Sequence, residues 1–123
     1  MIGYVMLGTN RFDDAAKFYD ELLDTIGGSR MMDGERFIAW ATSPGSPALS
    51  ICLPYDGEAA TVGNGVMIAL VVDSREKVDA LHAKALELGG TDEGAPGPRM
   101  DNFYAGYFRD LDGNKLNAFY WGE

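Results

Sequence analysis

Hydrophobic residues recur along this chain in two rhythms, one of period two and one near 3.6, and the succession of rhythms is written twice. Residues 2–9 read as a strand. Asn10 then stands where a helix cap belongs, and Phe12, Ala15, Ala16, Tyr19, Leu22, Leu23 and Ile26 follow at helical spacing until Gly27-Gly28 stops the run. Two strands over 29–33 and 36–41 meet at Asp33-Gly34, and a loop through Pro44 and Pro47 leads to a fourth strand over 48–54. Residues 55–65, rich in Gly, Asp and Glu, read as a linker.

The order then begins again. Residues 66–72 form a continuous apolar strand, Asp73 or Ser74 caps a helix striped by Val78, Leu81, Ala85 and Leu88, and Gly89-Gly90 ends it. Residues 103–121 close the chain as two aromatic-rich strands around the Asp112-Gly113-Asn114 turn. An offset of roughly 63 residues sets Tyr4 on Met67, Asn10 on Asp73 and Phe18 on Leu81; later the offset grows and Ser50 meets Asn117. The pattern repeats more than the residues do, as a duplicated structural unit would.

Composition narrows the class. A 123-residue chain with 46% hydrophobic residues can bury a real core but not two independent ones, so the two units must share it. No apolar run reaches the roughly 18 residues that span a bilayer, and the start MIGYVML has neither basic flank nor cleavage motif. These features, with a lone Cys52 that excludes an internal disulfide, lead to the expectation of a cytoplasmic protein without a membrane partner. A net charge of −9 argues against phosphate contacts and hence against nucleic acid.

Three segments in order carry a resemblance: IGYVMLGTNRFDDAAKFYDELL, then GAPGPR over 94–99, then YFRDLDGNKLNAFYW. Together they resemble the opening strand and helix, a mid-chain loop and the closing hairpin of the vicinal oxygen chelate superfamily, the glyoxalase, bleomycin-resistance and extradiol-dioxygenase group. The resemblance spans essentially the whole chain. It implies an α+β fold in which two β-α-β-β-β modules, about 1–56 and about 65–123 around a linker at 57–64, pair into a curved mixed sheet that forms a cup within one glyoxalase-like domain. It also implies a homodimer.

Metal-dependent members of that group hold their ion with His or Glu from the first and last strands of each module. Carried over residue by residue, those positions are Tyr4, Ser50, Met67 and Asn117. A phenol of pKa near 10, a soft thioether and two neutral polar groups bring no charge to offset a divalent cation, so a metal cofactor is disfavoured. On a period of two, Ile2 and Met6 share a face with Tyr4, Cys52 with Ser50, Ala69 and Val71 with Met67, and Phe119 and Trp121 with Asn117. That surface suits a small organic ligand, with Arg99 at its rim able to grip a carboxylate or phosphate.

Other residues offer less. His82, the sole histidine, reads as a solvated helix residue; Cys52 has no evident base and reads as a small hydrophobe; Asp110, Asp112 and Asn114 place glycine two positions early for a calcium loop. The leading expectation is metal-independent binding of a small organic molecule in the cup. The alternatives are a glyoxalase-type lyase or isomerase, or a dioxygenase-like enzyme, with an atypical metal site, and a structural or regulatory dimer without ligand. Whether the protein is an enzyme stays open at this point.

Overall fold

A computed structural model describes all residues, 1–123. The first module runs β1 (Tyr4–Gly8), α1 (Phe12–Asp24), β2 (Ser29–Asp33), β3 (Phe37–Ala41) and β4 (Ala48–Cys52). The second runs β5 (Ile68–Val71), α2 (Arg75–Glu87), β6 (Thr91–Met100), β7 (Phe103–Arg109) and β8 (Lys115–Trp121). Each module builds its own four-stranded mixed sheet, in the orders β1-β4-β3-β2 and β5-β8-β7-β6. In both, the first and last strands pair in parallel and the rest antiparallel. This is the α+β architecture of paired β-α-β-β-β modules that the repeated pattern implies.

Helices cover one face of each sheet, and the shared core lies there. Tyr19 and Leu22 of α1, Val78 and Leu81 of α2, Trp40 of β3, Ile51 of β4, Phe108 of β7 and Leu116 of β8 are all at most 1% exposed and belong to one cluster. Burying each large apolar side chain stabilises the fold by roughly 1.5–3 kcal/mol; each helix packs on its own sheet, and α1 packs on α2, which joins both modules into one cluster. A buried polar link joins them as well. The Tyr19 hydroxyl donates to Asp110 Oδ2 at 2.6 Å, and Asn114 Nδ2 donates to the Gly8 carbonyl at 3.1 Å. Both helices end where a glycine takes positive φ, 81° at Gly27 and 101° at Gly89.

Several local expectations are corrected. Asn10 does not cap α1: Arg11 holds that position without a side-chain bond, while the Asn10 amide exchanges hydrogen bonds with the Ala60 backbone. The tertiary contact with the linker outcompetes the local cap. In α2, Ser74 is the cap and accepts from the Lys77 amide. The segment GAPGPR lies inside β6, where the register shifts between Asp92 and Gly94, Gly94 and Gly97, and Pro98 and Met100. Prolines are tolerated because β6 is an edge strand, so the missing N–H groups break no inner ladder. His82 is 5% exposed and not solvated. It lies four residues beyond Val78, on the buried face of α2, and its Nε2–H reaches Asp92 Oδ1 at 3.0 Å and the Tyr107 carbonyl at 3.1 Å.

Candidate functional site

The sheet faces turned away from the helices are open. On the first, register places Tyr4 beside Ala48, Met6 beside Ser50, Ala39 beside Ser50 and Met32 beside Ala39. A cavity of about 420 Å³ lies over this face, lined chiefly by Tyr4, Met6, Met31, Met32, Phe37 and Ser50. Its floor is made by small residues, Ala39, Ala48 and Ser50, all at most 9% exposed, and its walls by long ones. Tyr4 is 65% exposed and its hydroxyl makes no hydrogen bond within the chain. Ser50 Oγ is committed, donating to the Val5 carbonyl at 2.7 Å.

On the second sheet, Asn117 lies between Ala69 on β5 and Tyr107 on β7, and Phe119 lies between Val71 and Ala105. Phe103 stacks on Phe119 at 5.4 Å between centroids and meets Trp121 edge-on at 5.3 Å. Met67 is placed just before β5, because the strand begins at Ile68 rather than at Val66. Arg99 of β6 sets its guanidinium over the Tyr107 ring at 5.4 Å, and Lys115 sets its ammonium over the same ring at 5.6 Å. Asn117 is 2% exposed, and its Oδ1 is buried without a hydrogen-bond partner.

The residues expected to form one site are thus divided. Tyr4 and Ser50 share the first sheet's cavity; Asn117, Phe119, Trp121 and Arg99, with Met67 at the strand entrance, belong to the second sheet. Sequence reasoning missed Met31, Met32 and Phe37 on the first face and Tyr107 and Lys115 on the second. Period-two counting back from Asn117 reaches Lys115, so that signal was present; the bulge between Arg30 and Met32, which turns the methionines toward the cavity, left no mark in the sequence.

The four positions do not fit a divalent metal. They supply one phenol, one hydroxyl already donating to backbone, one thioether and one amide, without carboxylate or imidazole, and no cluster of three or more His, Cys, Asp or Glu has metal-holding geometry. Partial burial pushes the Cys52 thiol above its ordinary range, which disfavours the nucleophilic thiolate. The buried Tyr19–Asp110 pair is structural: desolvation and then the Asp110 charge push the Tyr19 phenol well above its ordinary value. Asp110 also accepts from the Asp112 and Asn114 amides, so the acidic run forms a turn and not a calcium loop.

Known structures share this fold. A crystal structure of a glyoxalase/bleomycin resistance protein from Albidiferax ferrireducens is 38% identical over 98% of both chains, with a TM-score of 0.90. A putative glyoxalase from Bacillus halodurans, 23% identical, superposes with a TM-score of 0.76 over 98% of this chain and 95% of that one. A lactoylglutathione lyase from Agrobacterium tumefaciens, 18% identical, does so at 0.70 over 98% and 92%. At those lower identities the likeness shows the fold alone. No protein of curated function matches the chain. The model of the Glyoxalase/Bleomycin resistance protein/Dioxygenase superfamily matches residues 1–118, and together with the 38% identical structure this establishes that the chain belongs to that superfamily.

Proposed function

We propose that the protein binds a small, planar organic molecule on its open sheet faces without the help of a metal ion. The observation that carries this reading is the cavity of about 420 Å³ over the first sheet, apolar and methionine-rich, with a free Tyr4 hydroxyl to orient a ligand. Its size falls in the range of small-molecule sites, and thioethers adapt to flat surfaces of varied outline. A second copy of the chain completes the cup. Tyr4, Met6, Met31 and Met32 on one face and Val71 and Trp121 on the other are each at least 46% exposed, an apolar surface that a homodimer setting one module against its partner's other module would cover. No helix is long and apolar enough to cross a membrane; a cytoplasmic setting belongs to the same proposal.

The test is calorimetric titration of flat aromatic compounds into untagged protein, repeated with chelator and after loading with Ni, Zn, Mn or Fe, with sedimentation to fix the assembly. Saturable binding indifferent to chelator and lost in Tyr4→Ala and Met32→Asp is expected. Binding or turnover that requires one ion would overturn the metal-free reading and favour the lyase or dioxygenase alternative.

A further inference from the structure

The second sheet's open face carries three cations, Arg99, Arg109 and Lys115, against one carboxylate, Glu93. Arg109 and Lys115 stand directly opposite each other on β7 and β8, a like-charge pairing that is unfavourable unless something neutralises it. Glu93 bonds the Arg109 guanidinium and supplies one negative charge. Neither Arg99 nor Lys115 has a carboxylate in direct contact: Arg99 donates to the Ala95 carbonyl at 2.5 Å, Lys115 shares Glu93 only at longer range, and both lean on the Tyr107 ring. In a protein of net charge −9, three cations facing one carboxylate across adjacent strands make a local positive surface. The Tyr107 hydroxyl, on the ring that both cations approach, has no hydrogen-bond partner within the chain.

A second, independent feature lies among the same residues. Asn117 is 98% buried, yet its carbonyl oxygen has no donor. An orphaned buried acceptor is costly, and its neighbours on this face are Tyr107, Ala69, Lys115 and Phe119. A group that satisfies it must enter among those four, past the partly exposed Lys115 side chain. Beyond them the stacked Phe103 and Phe119 and the exposed Trp121 offer a flat apolar shelf.

We infer that this face is a subsite for a planar organic oxyanion, an aromatic or enolic carboxylate bearing a neighbouring hydroxyl. The carboxylate lies between Arg99, Lys115 and the Tyr107 hydroxyl, the ligand hydroxyl donates to Asn117, and the ring rests on Phe119 and Trp121. This rests on the reading of the cup as a small-molecule site and names the class of molecule it takes. Charge-assisted hydrogen bonds to two cations favour the anion over a neutral isostere by about tenfold or more.

The experiment titrates hydroxynaphthoate, its neutral amide hydroxynaphthamide and the cation naphthylmethylammonium into the full chain by calorimetry at two salt concentrations. The expected order is anion at least about tenfold tighter than amide, amide tighter than cation, with the preference weakened by salt. Lys115→Gln and Arg99→Gln should each shrink the anion-to-amide ratio, the anion losing more affinity than the amide, while neither lowers the melting temperature. Equal affinity for anion and amide, or a tighter cation, overturns the oxyanion subsite and leaves the small-molecule cup standing. Failure of all three to bind overturns both.

Discussion

Removing one hydroxyl at the seam between modules should show how firmly the halves are joined. Tyr19 is fully buried, and its O–H donates at 2.6 Å to an Asp110 carboxylate that also accepts from the amides of Asp112 and Asn114 and from the Asn114 side chain. In Tyr19→Phe the ring keeps its contacts with Phe18 and Trp40, so no cavity opens. What is lost is one charge-assisted bond in a dry setting, worth roughly 1.5–3 kcal/mol, while the three remaining donors keep Asp110 from being stranded. With a urea m-value of about 2 kcal/mol/M for a chain of this size, the midpoint falls by about 1 M. The pH dependence gives an independent check. Because the folded phenol titrates above its unfolded value near 10, the bond's contribution is fully present below pH 10 and fades as pH rises above it. The gap between wild type and Tyr19→Phe should therefore be constant from neutral pH to about 10 and narrow beyond. Urea denaturation followed by circular dichroism across that range measures it. A loss under about 0.5 kcal/mol at pH 7, or a gap that does not narrow in alkali, would refute the account of this bond.

Other perturbations have equally definite outcomes. Leu81→Ala, at a position with no exposure in the shared core, should destabilise by roughly 2–5 kcal/mol in the same denaturation assay. Gly90→Ala places a Cβ at 2.8 Å from both the Ala85 and Arg109 carbonyl oxygens, so the end of α2 must shift and melting should drop by several degrees. Cys52 should alkylate with iodoacetamide more slowly than free cysteine at pH 8, since burial raises its thiol; faster labelling would contradict that environment. Asp20, held below the usual carboxylate range chiefly by Arg30, should lose its stabilising role as pH falls through its lowered value, and Arg30→Met should flatten that acid limb.

The parts of the fold that local chemistry dictates could be read from the sequence, and those set by distant contacts could not. The stripes of α1 and α2, their glycine stops and the Asp112-Gly113-Asn114 hairpin depend on neighbours a few residues away, and they appear as expected. Asn10 has every mark of a cap but binds Ala60, fifty positions on, and proline-bearing 94–99 has every mark of a loop but is held as an edge strand by β7. His82 is misjudged for a related reason: four residues after Val78 it falls on the buried stripe, and only Asp92 and the Tyr107 carbonyl, brought there by β6 and β7, make that burial tolerable. At the site, alternation picks out Tyr4 with Met6 and Asn117 with Phe119, and the resemblance adds Ser50, yet neither tells that Tyr4 and Asn117 sit on separate sheets. That depends on how the modules pack, which period and spacing do not encode.

The seam has a consequence for how the protein is made. Phe108, Leu116 and Ala118 fill the core, and Asp110 accepts the bond from Tyr19, 91 positions earlier in the chain. While the ribosome is still translating, α1 emerges with its side toward α2 uncovered and Tyr19 without its acceptor, since α2 and the turn bearing Asp110 have yet to be synthesised. The seam between the modules must wait until Asp110 and Asn114 have left the exit tunnel. Nascent chains stalled at residue 65 should therefore bind chaperones and yield to protease, whereas chains that also expose residues 66–123 should do neither.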